Sequence, residues 1–147
     1  MKKIFNITLI LGFILAPLSM AHAFVPNDFL LSRQTYLNQI QAFDAWSINQ
    51  GSHEVVVAVI DAPIDMNHPD LNYWINEDEI PEDGIDNDNN GYIDDVQGWD
   101  FVGNDNDTSA EPLFEDDLST IHHGTIVSGI IGARGNNNLG IAGINWN

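Results

Sequence analysis

The feature that most constrains the fold is the apolar, mainly β-branched run Val55 to Ile60, which is followed at once by Asp61. A short run of this kind, preceded by turn residues, is typical of a parallel strand buried on both faces. A helix rich in small residues is predicted at 125–133, and an Asn-rich turn then leads to a second apolar run from Leu139. The order strand, loop, helix, turn, strand predicts an α/β fold with right-handed crossovers on a parallel sheet.

Two other segments complete the predicted organisation. Tyr36, Ile40, Phe43 and Trp46 recur at helical spacing, which predicts a short amphipathic helix. Residues 76–117 are rich in Asp, Glu, Asn and Gly, which predicts a solvated acidic loop.

The N-terminus has the layout of a secretory signal peptide. Lys2 and Lys3 precede an apolar run that reaches Met20, and a small-x-small site ends at Ala23. A membrane anchor is the alternative, but polar residues and Pro17 interrupt the run, which falls short of about 20 clean apolar residues. We expect a signal peptide at 1–23, a mature domain at 24–147, a secreted or periplasmic location, and no membrane association after cleavage.

The charge balance excludes several kinds of partner. The 147 residues carry 4 Lys and Arg against 22 Asp and Glu, and after residue 23 the only cations are Arg33 and Arg134. Nucleic acid and anionic lipid are excluded, because the chain has almost no cations to neutralise phosphates. The absence of cysteine excludes a disulfide scaffold, a cysteine nucleophile and a thiolate metal site.

Two residues carry the candidate chemistry. Asp61 follows the predicted strand, at the sheet edge where reactive groups of α/β folds gather, and His123 opens the predicted helix. A carboxylate there can fix the tautomer of an imidazole that acts as a base. Alone, each residue is usually a turn former or a helix cap. A metallopeptidase is disfavoured, because His122 and His123 lack helical ligand spacing and HExxH is absent.

The segments around these residues resemble those of a known peptidase family. VAVIDAPIDMNHPDL, HGTIVSG and PNDFLLSRQTYLNQIQAFDAW are similar to segments of the subtilisin-like serine peptidases, and most similar to the thermitase branch. The resemblance covers the chain from about Pro26 onward. It implies that Asp61 is the orienting acid, that His123 is the general base, and that the substrate is a peptide or protein. It also implies part of a three-layer fold with a parallel sheet, ending after the helix of the histidine.

The chain departs from the family pattern in several places. Ala62 and Pro63 stand where the family usually has Ser or Thr and then Gly, and Ile126 stands where a second histidine is common. No prosegment separates the signal from the domain. The serine segment and the oxyanion-hole asparagine are absent from these residues, and Ser128 is interpreted as a packing residue. We therefore expect the N-terminal portion of an exported serine endopeptidase that is inactive alone, or alternatively a secreted, non-catalytic calcium-binding fragment or pseudoenzyme.

The acidic loop contains a pattern typical of calcium loops. Oxygen-bearing residues alternate and are followed by a glycine, as in loops that wrap a hard cation. The candidate ligands are Asp86, Asp88, Asn90, Tyr92, Asp94 and Asp95. Gln97 stands where a bidentate Glu is expected, and Asp95 is the candidate substitute. An acidic solvated loop without an ion remains the alternative.

The family resemblance implies another calcium site. Its side-chain ligands would be Asp28, Asp70 and Asn137, and its carbonyl ligands would come from Arg134, Leu139 and Ile141. The alternative is that the asparagines of 136–138 are ordinary turn residues.

Overall fold

The computed structural model describes residues 23–109 and 123–146. These ranges contain a 3-10 turn at Leu31–Arg33 and three α-helices, α1 at Tyr36–Gln39, α2 at Ala42–Trp46 and α3 at His123–Gly132. The predicted signal segment, apart from Ala23, and residues 110–117 of the acidic loop lie outside the described residues. No helix in the described ranges is long and apolar enough to cross a membrane.

The predicted strand at 55–60 does not form in this structure. The segment is coil, and Val55, Val57 and Ile60 are 63%, 50% and 91% exposed. An apolar run becomes a strand only when a neighbouring strand pairs with its backbone, and no segment of the described ranges does so. The described chain shows only isolated bridges, such as the parallel bridge between Ile64 and Ser109, so the predicted parallel sheet is not found there.

The second predicted strand, from Leu139, is also coil in the structure. The amide groups of residues 143–145 bond to carbonyl groups at the end of α3 instead. Gly143 N donates to Ala133 O at 3.0 Å, and Ile144 N donates to Ile130 O at 3.0 Å. These three residues therefore satisfy their amides by capping the helix rather than by joining a sheet.

The predicted amphipathic helix is broken into α1 and α2. Gln41 adopts a left-handed conformation with φ of 57°, which ends the first helix and changes the direction of the second. The buried residues are consequently Leu37, Ala42 and Trp46, whereas Ile40, on the predicted buried face, is 54% exposed. The prediction of one continuous face was wrong because the left-handed residue resets the helical register.

The core is formed by residues from the N-terminal and the C-terminal parts of the described chain. Leu37, Ala42 and Trp46 pack with Ala142 and Trp146. The two tryptophan rings meet edge to face with centroids 5.3 Å apart, and Trp46 Nε1 donates to the carbonyl of Ile144 at 2.9 Å. These contacts bring the segment after α3 against α1 and α2.

A buried glutamine strengthens the same junction. Gln34 Nε2 donates to the carbonyl of Ala142 at 2.7 Å, and Gln34 Oε1 accepts from the amide of Ala142 at 2.9 Å. Gln34 is 5% exposed and Ala142 is fully buried. One side chain therefore satisfies both backbone groups of a residue 108 positions away.

Candidate functional site

Asp61 and His123 meet at the N-terminus of α3. Asp61 lies in the coil that follows 55–60, and His123 is the first residue of α3. His123 Nδ1 lies 2.6 Å from Asp61 Oδ1. This contact joins residues 62 positions apart, and Nε2, the other ring nitrogen of His123, takes no part in it. In such a pair the carboxylate accepts the Nδ1 proton, so Nε2 carries the lone pair that can accept another.

The surroundings keep the carboxylate ionised. The hydrogen bond from His123 is the main cause that lowers the pKa of Asp61, and the amide of Ala62, which donates to Oδ1 at 2.6 Å, lowers it further. Desolvation opposes both effects. The imidazole side chain is 63% exposed and the carboxyl side chain 19% exposed, and both residues as wholes are exposed, so the pair is open to solvent.

The coil after Asp61 packs directly on the first turn of α3. A Cβ on Gly124 would overlap the carbonyl oxygen of Ala62 and would lie 2.8 Å from that of Pro63. Thr125 Oγ1 accepts the amide of Asp65 at 2.9 Å. Gly124 thus allows a close approach of the coil that carries the acid.

No described serine completes the pair. Ser128 Oγ is buried and has no hydrogen-bond partner among the described residues. This position agrees with its interpretation as a packing residue of α3. Ser109 lies at the end of the first described range, and within both ranges no serine hydroxyl is hydrogen-bonded to His123.

The structure brings together the side chains that the family resemblance assigns to a calcium site. Asp28 and Asp70 are 5% and 2% exposed. Asn137 joins them, because its amide nitrogen donates to Asp70 Oδ1 at 2.7 Å and its backbone amide donates to Asp28 Oδ1 at 3.4 Å. Buried carboxylates require compensation by a cation or by hydrogen bonds, and no Lys or Arg of the described chain forms an ion pair with either. Hydrogen bonds from backbone amides and from the Asn137 side chain supply this compensation in the structure, and the carboxylate and amide oxygens are also the ligand types that a hard cation takes.

The remaining members of that set lie nearby but are engaged differently. The backbone amides of Arg134 and Ile141 donate to Asp70, to its carbonyl at 2.8 Å and to Oδ2 at 3.2 Å. The amide of Leu139 donates to Asn137 Oδ1 at 2.8 Å. The contacts shown for these residues thus use N–H groups, whereas cation binding would use carbonyl oxygens and would require the Asn137 side chain to turn its oxygen inward. Their role as ligands stays a prediction.

The acidic loop folds around its own carboxylates. The amide of Asn90 donates to Asp86 Oδ1 and Asp88 Oδ1 at 3.0 and 2.9 Å. The Asn90 side chain donates to Asp88 and Asp95 at 3.0 Å each. The amide of Tyr92 donates to Asn90 Oδ1 at 2.8 Å. The loop thus places Asp86, Asp88, Asn90 and Asp95 together.

Asp94 is turned elsewhere within the loop. Its carboxylate accepts the amides of Asp83 and Gly84 at 3.2 and 3.1 Å. The pKa of the Asp88 carboxyl is also lowered, mainly by the hydrogen bond that the side-chain amide of Asn76 donates to it.

Glu79 is the residue that sequence reasoning missed. It is 5% exposed, and its carboxylate accepts the amides of Asn87, Asp88 and Asp94 at 2.8, 3.0 and 3.1 Å. Carboxylate oxygens of Glu79, Asp86 and Asp88 lie within 4.8 Å of one another, close enough to hold one metal ion. A calcium loop places its glutamate after the alternating acids, and this glutamate precedes them. The sequence does not mark Glu79, because its burial arises only in the folded loop.

A family model and several known proteins match this chain. Residues 52–147 match the family model described as the subtilase family. Subtilisin-like protease 1 of Plasmodium falciparum is 45% identical over 101 residues, which cover 65% of this chain and 13% of that protein. Thermitase of Thermoactinomyces vulgaris is 35% identical over 121 residues, covering 82% and 33%. A thermophilic serine proteinase of a Bacillus species is 35% identical over 123 residues, covering 83% and 23%. The chain thus spans a third or less of the length of these relatives.

Proposed function

Because the chain belongs to the subtilase family, we propose that it forms the acid and base part of an exported serine endopeptidase. The observation that carries this proposal is the 2.6 Å contact between Asp61 Oδ1 and His123 Nδ1. It supports a division of roles in which the ionised carboxylate holds the imidazole and the imidazole moves the proton.

In the proposed reaction, His123 Nε2 takes the proton of a serine hydroxyl as that oxygen attacks a peptide carbonyl. The acyl-enzyme forms when the imidazolium returns the proton to the leaving amine. Asp61 remains ionised and stabilises the imidazolium. The 147 residues alone are expected to be inactive, because the nucleophile is not assigned to any of their serines.

The family also supports the finer fold prediction. We propose that Val55–Ile60 pairs as a central parallel strand of a three-layer domain when further strands are present. The exposure of Val55 and Ile60 in this structure supports the proposal, since monomeric soluble proteins rarely leave a large contiguous apolar patch open.

We propose that the chain binds calcium at two places. The first lies between Asp28, Asp70 and Asn137. The second lies in the acidic loop, where Glu79 joins Asp86 and Asp88 and supplies the glutamate that Gln97 does not. Bound calcium would neutralise buried carboxylates and hold both segments in place. The formal charge of −18 further favours cation binding.

The N-terminal pattern of the sequence supports export. We propose that residues 1–23 direct secretion or delivery to the periplasm and are then removed. A compartment outside the cytoplasm would supply the calcium that the two sites require.

The endopeptidase proposal is tested with a chimera in which residues 24–147 replace the matching segment of thermitase. We expect hydrolysis of casein and of a chromogenic peptide. His123→Ala should abolish it, and Asp61→Asn should reduce kcat by about 10⁴-fold, as in other triads that lose the ionised carboxylate and with it the correct tautomer. His53→Ala is the matched control, because His53 is exposed and, within the described residues, is not hydrogen-bonded to Asp61 or His123.

The alternative is a non-catalytic calcium-binding protein, favoured by the buried acids Asp28, Asp70 and Glu79. A chimera that folds, binds calcium and cleaves neither substrate would support this alternative. Activity that survives His123→Ala would contradict the assignment of the base.

A further inference from the structure

Two residues at the start of α3 are left unused by the proposed reaction. Gly124 and Thr125 follow the base directly, and both contact the coil that carries the acid. The backbone of Gly124 approaches that coil so closely that no side chain fits between them.

The contact at Gly124 is specific to that position on the helix. A Cβ there would overlap the carbonyl of Ala62, a backbone group that cannot swing aside as a side chain can. Gly129 is the other buried glycine of α3, and its Cβ would meet only the side-chain tip of Ile141, at 3.6 Å. The same substitution is therefore expected to displace the coil at Gly124 and to be tolerated at Gly129.

Thr125 fixes the next point along the coil. Its Oγ1 accepts the amide of Asp65 at 2.9 Å, while the hydroxyl of Tyr73 donates to the carbonyl of Asp65. Asp65 Oδ1 also accepts the amide of Asn67 at 3.0 Å, which closes a local turn. Hydrogen bonds to the amide and to the carbonyl of Asp65 thus fix the far end of the coil.

Three consecutive residues of α3 therefore meet successive points of the coil. His123 meets Asp61, Gly124 meets Ala62 and Pro63, and Thr125 meets Asp65. The other side of the acid offers little support, because residues 55–60 have no paired strand in the described chain.

We propose that Gly124 and Thr125 are positioning residues that hold the Asp61 carboxylate opposite Nδ1 and so fix the tautomer of His123. The inference rests on the proposed roles of Asp61 and His123. The packing of the coil on α3 would thus align the Asp61 carboxylate with the His123 imidazole.

The test reads the tautomer of His123 by ¹⁵N NMR of the full chain, at a pH where the imidazole is neutral. The native chain should show the Nδ1–H form, because Asp61 accepts that proton. Gly124→Ala and Thr125→Val should shift the population toward the Nε2–H form, which predominates in free histidine. Gly129→Ala and Thr125→Ser should keep the native tautomer, since the first adds no clash and the second keeps the hydroxyl.

Tryptophan fluorescence separates positioning from unfolding, because Trp46 and Trp146 report the core. A changed tautomer with native fluorescence supports the proposal. An unchanged tautomer in a folded Gly124→Ala or Thr125→Val chain overturns it and leaves the proposed function standing. If Gly124→Ala does not fold, the Thr125 pair decides the outcome. A native chain without the Nδ1–H form would overturn both the positioning role and the proposed function.

Discussion

Replacement of Gln34 by methionine is expected to destabilise the chain strongly. The glutamine side chain bonds to both the amide and the carbonyl of Ala142, at 2.9 and 2.7 Å. Ala142 is fully buried, so water cannot replace the lost partners. Methionine has a similar length and keeps most of the packing. It removes the two bonds to Ala142 and also the bond that Gln34 Nε2 donates to the Tyr36 hydroxyl at 2.7 Å, where the half-buried tyrosine can turn to water.

The magnitude follows from the groups left unpaired. Each buried polar group without a partner costs about 1–3 kcal/mol, so two cost about 2–6 kcal/mol. This is a large part of the 5–15 kcal/mol that is typical of a whole domain. With a urea dependence of about 2 kcal/mol per molar, a loss of about 4 kcal/mol lowers the unfolding midpoint by about 2 M.

The assay is urea unfolding followed by tryptophan fluorescence at a fixed calcium concentration, because a bound ion shifts the apparent stability. Gln39→Met is the matched control, since Gln39 is exposed at the end of α1. A midpoint for Gln34→Met equal to that of the control would refute the reasoning, because it would show that the Ala142 groups find other partners.

Two other predictions concern the charged groups. The pKa of Asp61 is lowered in the folded chain, mainly by the hydrogen bond from His123. The stability that this contact contributes is therefore fully present above the pKa of the unfolded carboxyl, and it is lost as the pH falls through the lower pKa of the folded chain. His123→Ala should therefore raise the pKa of Asp61 in a ¹³C NMR titration, and an unchanged titration would contradict the contact. Glu79→Gln should weaken calcium binding by about 10- to 100-fold in calorimetry, as expected when a metal site loses a supporting carboxylate. The exposed acid Glu77, changed to Gln, is its control, and equal affinities in the two variants would exclude Glu79 from the site.

The family and α3 could be predicted from sequence because their signals are local and dense. The segments around Asp61 and His123 each join a distinctive run of residues to one reactive side chain, and the family match confirms the resemblance. The helix predicted at 125–133 is observed at His123–Gly132. In both cases the determining residues are neighbours in sequence.

The features that were missed depend on distant partners or on single backbone angles. The exposed state of Val55–Ile60 reflects the lack of a pairing segment in the described chain, which the run itself cannot reveal. Gln41 is not a residue type that usually adopts a positive φ, so the break between α1 and α2 has no sequence signal. Glu79 acquires its role only when the loop folds back on it.

The core joins residues that lie far apart in the sequence, and this separation affects the order of folding. Trp46 and Ala42 are buried only when Ala142 and Trp146 have arrived, about a hundred residues later in synthesis. Contacts of such long separation form slowly, because the intervening chain must first close into a loop. During translation, the apolar faces of α1 and α2 therefore stay exposed to solvent until residues 142–146 have been synthesised. A chaperone could bind these faces before the core forms.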